Sequence, residues 1–458
     1  MPHPNILLIV LDSARADRFS CYGYEKPTTP NIDLIAEQGT LFEQCWSESN
    51  WTLPVSYTLL TGLAPREHGA EAYRDLPEGM PTLPQLLQES RWRTTLCSAN
   101  AYLGTGTGLH EAFDHFETST FDNPLLHVPL KYVVLRLGLT DKGGADLNRH
   151  ALRHMTEAGD DPWLTVVWSN ECHYPWVAKG EFASRFVDMP MPLSRRWSLT
   201  ARARRLQQFV TAASDRDLQD LNGLYDGGIG YADHLVGQLR SRMEALGRWQ
   251  DTVVIITSDH GDMIAEHGLG GHGRDVKLHR QICRVPLIVC GPDYPAGERT
   301  DAIVQLADIT QTIGEMTGVL DRLPPTAAER VDLRNAAVGN GRDQAIIERG
   351  KWPKKRMGAA RKKYGSYDCT PLVGEVRSCF SAGWHLIDAQ TAETELYDTN
   401  ADPDETRNLI EEQPDRAREL FDILAHWREK ATPHPATEGL VEREDPRVEA
   451  RLRGMGYF

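Results

Sequence analysis

From Ile6 to Leu11 every residue is apolar, and the run closes on a carboxylate, Asp12. A strand buried on both faces reads this way, and a polar residue at its C-terminal end marks an opening onto a site. The pattern recurs from Trp163 to Trp168, followed by Glu171 and His173, and from Asp251 to Thr257, followed by Asp259 and His260. Val285 to Cys290 is a further strand. Pro30 to Gly39 predicts a short helix with a glycine stop. Thr52 is expected on a loop, with a helix from Ser56 to Leu60 that ends before Gly62. Helical periodicity runs from Leu218 to Leu246 and again from Asp415 to Lys430. Strands alternating with helices imply an α/β fold, a central mixed and mostly parallel sheet flanked by helices, with its site along the C-terminal edge of the strands.

A chain of 458 residues is too long for one ordinary domain. The expected division is a catalytic domain over 1–335 and a smaller C-terminal α+β subdomain over 336–458, with a small antiparallel sheet and a helix. Patterning weakens over 123–218, which reads as variable insertions bordering the site. The short apolar clusters after 340 make too thin a core to stand alone, so that subdomain is expected to dock on the catalytic one, with Arg377 and the basic stretch 351–363 as candidates to reach the site.

Composition narrows the partners. The formal net charge of −15 argues against nonspecific binding to nucleic acid or anionic membranes, so an anionic substrate must be drawn in by a local cation. No segment approaches the roughly 20 apolar residues of a transmembrane helix. The start lacks the pattern of a signal peptide, and the eight cysteines are scattered without a CxxC pair, which together predict a cytoplasmic protein with mostly reduced thiols. Nothing in the sequence sets an oligomeric state.

The chemistry-bearing residues fall in three segments: Asp12, the stretch from Trp51 to Gly62, and the stretch from Ser258 to Asp262. A hydroxyl such as Thr52 is a poor nucleophile at neutral pH unless a divalent metal lowers its pKa and fixes its orientation. Asp12, Asp259 and His260 supply two carboxylates and an imidazole, a mixed set that suits zinc, manganese or iron better than calcium or magnesium. Taken singly, each is an ordinary turn or capping residue; only their joint placement at strand ends raises the site above that.

The order of motifs resembles the sulfatase family of the alkaline-phosphatase superfamily. The resemblance rests on Asn5 to Asp12, Thr52 to Gly62, Pro65 to Gly69, Ser258 to Gly268, Arg284 to Ile288, Asp308 to Thr312, Glu395 to Glu405 with Asn408 and Leu409, and Arg451 to Tyr457. It implies an alkaline-phosphatase/sulfatase-like fold, one divalent metal held by Asp12, Thr52, Asp259 and His260, and catalytic roles for Thr52, His173 and His272. His173 matches a histidine facing the leaving group. His272 sits where relatives hold an anionic oxygen. His68 and His267, each before a glycine turn, read as structural, and Lys277 and His279 lie near enough in sequence to matter.

The departures are specific. Sulfatases carry C/S-x-P-x-R, whose Cys or Ser is oxidised to formylglycine. Thr52 cannot become that aldehyde, because its β-carbon carries a methyl group, and Ser56 replaces the arginine. Ser13 replaces a second aspartate, His260 stands where many sulfatases have asparagine, and the G-K-W-H segment is absent from Ser98 to Gly104. These differences resemble the threonine-nucleophile phosphodiesterases and phosphonate hydrolases of the superfamily. The expected activity is hydrolysis of a small-molecule, or lipid- or sugar-linked, anionic ester, a phosphodiester or phosphonate ester first. The alternatives are a sulfuric ester hydrolase, a phospho-headgroup transferase, and an inactive member acting as a binding protein.

Overall fold

The structure, a computed structural model, describes residues 4–70, 77–104, 107–119, 133–135, 137–202, 213–273, 276–351 and 373–437. Most of the basic stretch 351–363 and all of 451–457 lie outside these residues. Ten strands precede the C-terminal sheet: β1 (Asn5–Leu11), β2 (Gly39–Trp46), β3 (Arg93–Ser98), β4 (His115–Glu117), β5 (Trp163–Ser169), β6 (Thr252–Thr257), β7 (Met263–Ile264), β8 (Gly270–Gly271), β9 (Leu287–Cys290) and β10 (Glu298–Gln305). Eight of them form one sheet in the order β10-β2-β9-β6-β1-β5-β3-β4. Only β9 runs antiparallel to its neighbours, β2 and β6. The central strands pair in parallel, β1 between β5 and β6. The fold is thus the expected mixed, mostly parallel α/β sheet.

Alternation along β1 explains its unbroken apolar run. Ile6, Leu8 and Val10 join the core on one face, packed with Leu53, Leu60 and Ile309. Leu7, Ile9 and Leu11 join the core on the other, packed with Ile35, Leu147 and Leu224. Helices Thr52–Thr61 and Ala307–Thr317 therefore cover one face, and Pro30–Ala36, Gly144–Glu157 and Asp215–Ala245 the other. The weakly patterned stretch 123–218 holds, besides the expected strand β5, a helix that the sequence did not suggest, Gly144–Glu157, which belongs to the central layers.

A second sheet, β11 (Gln344–Arg349), β12 (Val376–Ser381), β13 (Trp384–Ala389) and β14 (Glu395–Asp398), is antiparallel throughout. One face packs Cys379, Leu386 and Leu396 under Leu420 and Leu424 of the helix Pro414–Lys430. The other shares a core with Trp46, Met263, Ile282 and Cys283 of the larger unit, where Trp46 stacks on Phe380 at 4.4 Å between ring centroids. Arg377, a candidate to reach the site, pairs with Glu375 and Glu348. Among the described residues seven cysteines are free thiols, and no helix is long and apolar enough to cross a membrane.

Candidate active site

Parallel strands aim their C-terminal ends at one edge, and the site lies there. Asp12 follows β1, Asp259 and His260 follow β6, and His173 follows β5. Because β1 lies between β5 and β6, the first three ligand candidates stand on adjacent strands. Ligand atoms of Asp12, Asp259 and His260 lie within 4.8 Å of one another, all on buried residues.

Ser13 links the two carboxylates. Its backbone sits in the left-handed region at φ 67°. From there its N–H donates to Asp259 Oδ1 at 3.0 Å and its hydroxyl to Asp12 Oδ1 at 3.0 Å. Asp12 Oδ2 accepts from Asn100 Nδ2 at 2.5 Å and from Trp168 Nε1 at 3.1 Å. Asp259 Oδ2 accepts no well-formed hydrogen bond and lies 3.3 Å from His260 Nε2. His260 donates its Nδ1 proton to the Gly261 carbonyl at 2.9 Å, which leaves the lone pair of Nε2 facing the carboxylates.

The charges explain why a cation fits. Burial raises Asp12, but His173, His260, His272 and the Trp168 bond outweigh it and hold that carboxyl below its ordinary range. Burial and the neighbouring Asp12 push Asp259 well above it. Burial, with His272 adding to it, keeps His260 neutral down to about 3. Two buried carboxylates facing a neutral imidazole repel each other unless a positive charge stands between them. Oxygen and nitrogen donors in this mixture suit a transition-type divalent ion.

Thr52 is not on a surface loop, as its flanking residues suggested. It is the first residue of the helix Thr52–Thr61 and 1% exposed. Pro54 is tolerated in that first turn because the first N–H groups of a helix have no internal partner. The Thr52 hydroxyl lies 3.3 Å from His260 Nε2, at the positive end of the helix. Ser56, in the place of the family arginine, turns inward and donates to the Leu53 carbonyl at 2.8 Å. It makes no cationic contribution to the site.

His272 lies 4.4 Å from His260 and 5.0 Å from His173, ring centre to ring centre. Its Nδ1 donates to Asp262 Oδ1 at 2.6 Å, and Asp262 Oδ2 accepts from Trp176 Nε1 at 3.2 Å. His173 donates its Nδ1 proton to the Tyr174 carbonyl at 2.6 Å. Its loop is clamped by Lys142, whose Nζ donates to the carbonyls of Glu171 and His173. The Glu171 carboxylate in turn accepts from the N–H groups of Lys142 and Gly144, at the start of the helix Gly144–Glu157. Gly228 lets the helix Asp215–Ala245 approach this loop, since a β-carbon there would lie 2.8 Å from the Glu171 carbonyl oxygen.

The structure thus brings together Asp12, Thr52, His173, Asp259, His260 and His272. Asn100, Lys142 and Asp262 were not singled out from the sequence. Asp262 carried a signal, standing two residues after His260 in the quoted motif, whereas Asn100 and Lys142 had none. His68 is buried and takes part in a hydrogen bond with the Thr58 hydroxyl, in keeping with a structural role.

The sulfatase family model matches residues 4–319. This chain belongs to the sulfatase family. It is 23% identical over 488 residues to the uncharacterized sulfatase YidJ of Escherichia coli, covering 100% of this chain and 93% of that relative. It is 23% identical to the choline-sulfatase of Rhizobium meliloti, over 89% of this chain and 82% of the other. Among solved structures, the phosphonate monoester hydrolase of Agrobacterium radiobacter superposes with a TM-score of 0.72 at 21% identity, covering 93% of this chain and 96% of that one. As a sulfatase-family enzyme the protein is an ester hydrolase, and the cluster of Asp12, Asp259 and His260 fits the divalent ion such enzymes use.

Proposed function

We propose that this sulfatase-family hydrolase cleaves a phosphate ester, a phosphodiester or a phosphonate ester, through a covalent intermediate on Thr52. The observation that carries the reading is the Thr52 hydroxyl, buried at a helix N-terminus and 3.3 Å from His260 Nε2. Zinc, manganese or iron held by Asp12, Asp259 and His260 would supply a Lewis-acid charge that favours the alkoxide form of a nearby hydroxyl.

In this reading Thr52 Oγ1, its proton released to solvent water, attacks phosphorus in line, and a bond to threonine forms as the bond to the leaving oxygen breaks. His173, or His272 backed by Asp262, suits donation of a proton to that oxygen. His173, with its Nδ1 proton committed to Tyr174, keeps Nε2 as the basic nitrogen and suits activation of the water that frees Thr52. A sulfuric ester would fit less well, because the formylglycine route is closed to threonine and Ser56 supplies no cation.

A panel of chromogenic phosphate monoesters, diesters, phosphonates and sulfates, each with several metals, tests the ranking. Faster turnover of diesters or phosphonate esters is expected; a clear preference for sulfates would overturn it. A cytoplasmic location belongs to the same reading, supported by the free thiols, and cell fractionation checks it.

A further inference from the structure

A second group of ligand-type side chains lies on the seam between the large sheet's loops and the C-terminal sheet. His267 follows β7, His279 precedes the short helix Arg280–Cys283, and Glu405 follows β14. One ligand atom from each lies within 4.8 Å of the others. His279 is 1% exposed and Glu405 fully buried. Nδ1 of His279 stands 3.3 Å from Glu405 Oε2.

Each inner residue is oriented from behind. Glu405 Oε1 accepts from His385 Nδ1 at 2.5 Å, and His385 Nε2 meets the Ser378 hydroxyl at 3.0 Å. Glu405 Oε2 accepts from the Arg280 N–H at 2.8 Å. Nε2 of His279 faces Glu395 Oε2 at 3.6 Å, and Glu395 is itself paired with Lys277. A carboxylate beside the outer ring nitrogen of a histidine favours the tautomer in which the other nitrogen carries the lone pair, an arrangement common around protein-bound metals.

We propose that His267, His279 and Glu405 form a second metal site, structural and of zinc type, that clips the C-terminal sheet to the loops beside the active site. Two imidazoles and one carboxylate are a recurrent zinc ligand set, with water completing four-coordination. The His267 and His279 rings now stack with centroids 3.8 Å apart and planes within 3° of parallel. Parallel rings cannot both point lone pairs at one ion, so binding requires His267 to turn out of the stack. His267 is exposed and has room to do so.

The experiment uses the full chain, stripped with chelator, reloaded with zinc chloride and desalted. Bound zinc is read by mass spectrometry and stability by thermal melting. The wild type is expected to bind about two equivalents, and Asp259→Asn about one while keeping a zinc-dependent rise in Tm. His267→Ala is expected to bind about one, to lose that rise, and to keep ester hydrolysis. Unchanged zinc content in His267→Ala, or none in Asp259→Asn, would overturn the site. Should stripped His267→Ala melt well below the stripped wild type, His267→Gln replaces it and its zinc content decides by the same criterion.

Discussion

Nε2 of His260 and Oγ1 of Thr52 stand 3.3 Å apart although 208 residues separate them in the chain. The nitrogen arrives on a loop after a central strand and the oxygen on the first turn of a helix. Together they define the point where nucleophile and ligand set meet.

Thr52→Ala should lower turnover by at least about a thousandfold while circular dichroism and Tm stay near wild type, since only a hydroxyl and a methyl are removed. Activity above a few per cent of wild type, on a substrate that the wild type processes well, would exclude Thr52 as the nucleophile.

His260→Ala should weaken metal binding by at least about a hundredfold, more than loss of an orienting neighbour costs. Metal content of the desalted protein measures this, and a stoichiometric ion at the catalytic centre would contradict the ligand assignment.

Asp262→Asn removes the carboxylate that orients His272 while preserving shape. A loss in kcat on the order of a hundredfold is expected, with KM changing far less. Equal changes in the two constants would indicate that Asp262 only shapes the binding surface.

His68 gives a pH prediction away from the metal ligands. Burial lowers its pKa from 6.5 to about 3, so the unfolded chain binds the proton first as pH falls. Its neutral form in the fold therefore contributes stability above pH 6.5 that is lost progressively toward pH 3. Tm profiles of wild type and His68→Gln should converge through that window. A constant offset between them would refute the assignment.

Phe380→Ala removes the ring stacked on Trp46 and should cost about 3–5 kcal/mol in a single unfolding transition. Two separated transitions, with only the later-sequence one shifted, would show that the C-terminal sheet melts independently.

The fold was legible wherever burial dictates sequence directly. β1, β5 and β6 are covered on both faces, so each is an unbroken apolar run, and the polar residue that ends it falls at the site. That is why Asp12, Asp259 and His260 could be read. Asn100 and Lys142 could not, because their roles come from hydrogen bonds across strands rather than from any local pattern. The burial of Thr52 was hidden because a proline in a first helical turn looks like a loop when its neighbours are unknown. The partners of Arg377 were hidden for a related reason: Glu348 comes beside it only once β11 and β12 pair.

Strand β9 runs against its neighbours and separates β2 from β6 by two strand spacings, about 10 Å. The nucleophile leaves from β2, the ligands Asp259 and His260 from β6, and residues 47–51 cross the gap. The Ser47 hydroxyl moors that arm at the Asp259 carbonyl, 2.6 Å away. Length in the arm is therefore fixed at both ends. Deleting one residue would turn the next helix by about 100° and carry Thr52 off the ligands. Insertions and deletions should thus be lethal to activity within 47–51, however freely the loops elsewhere on that edge accept them.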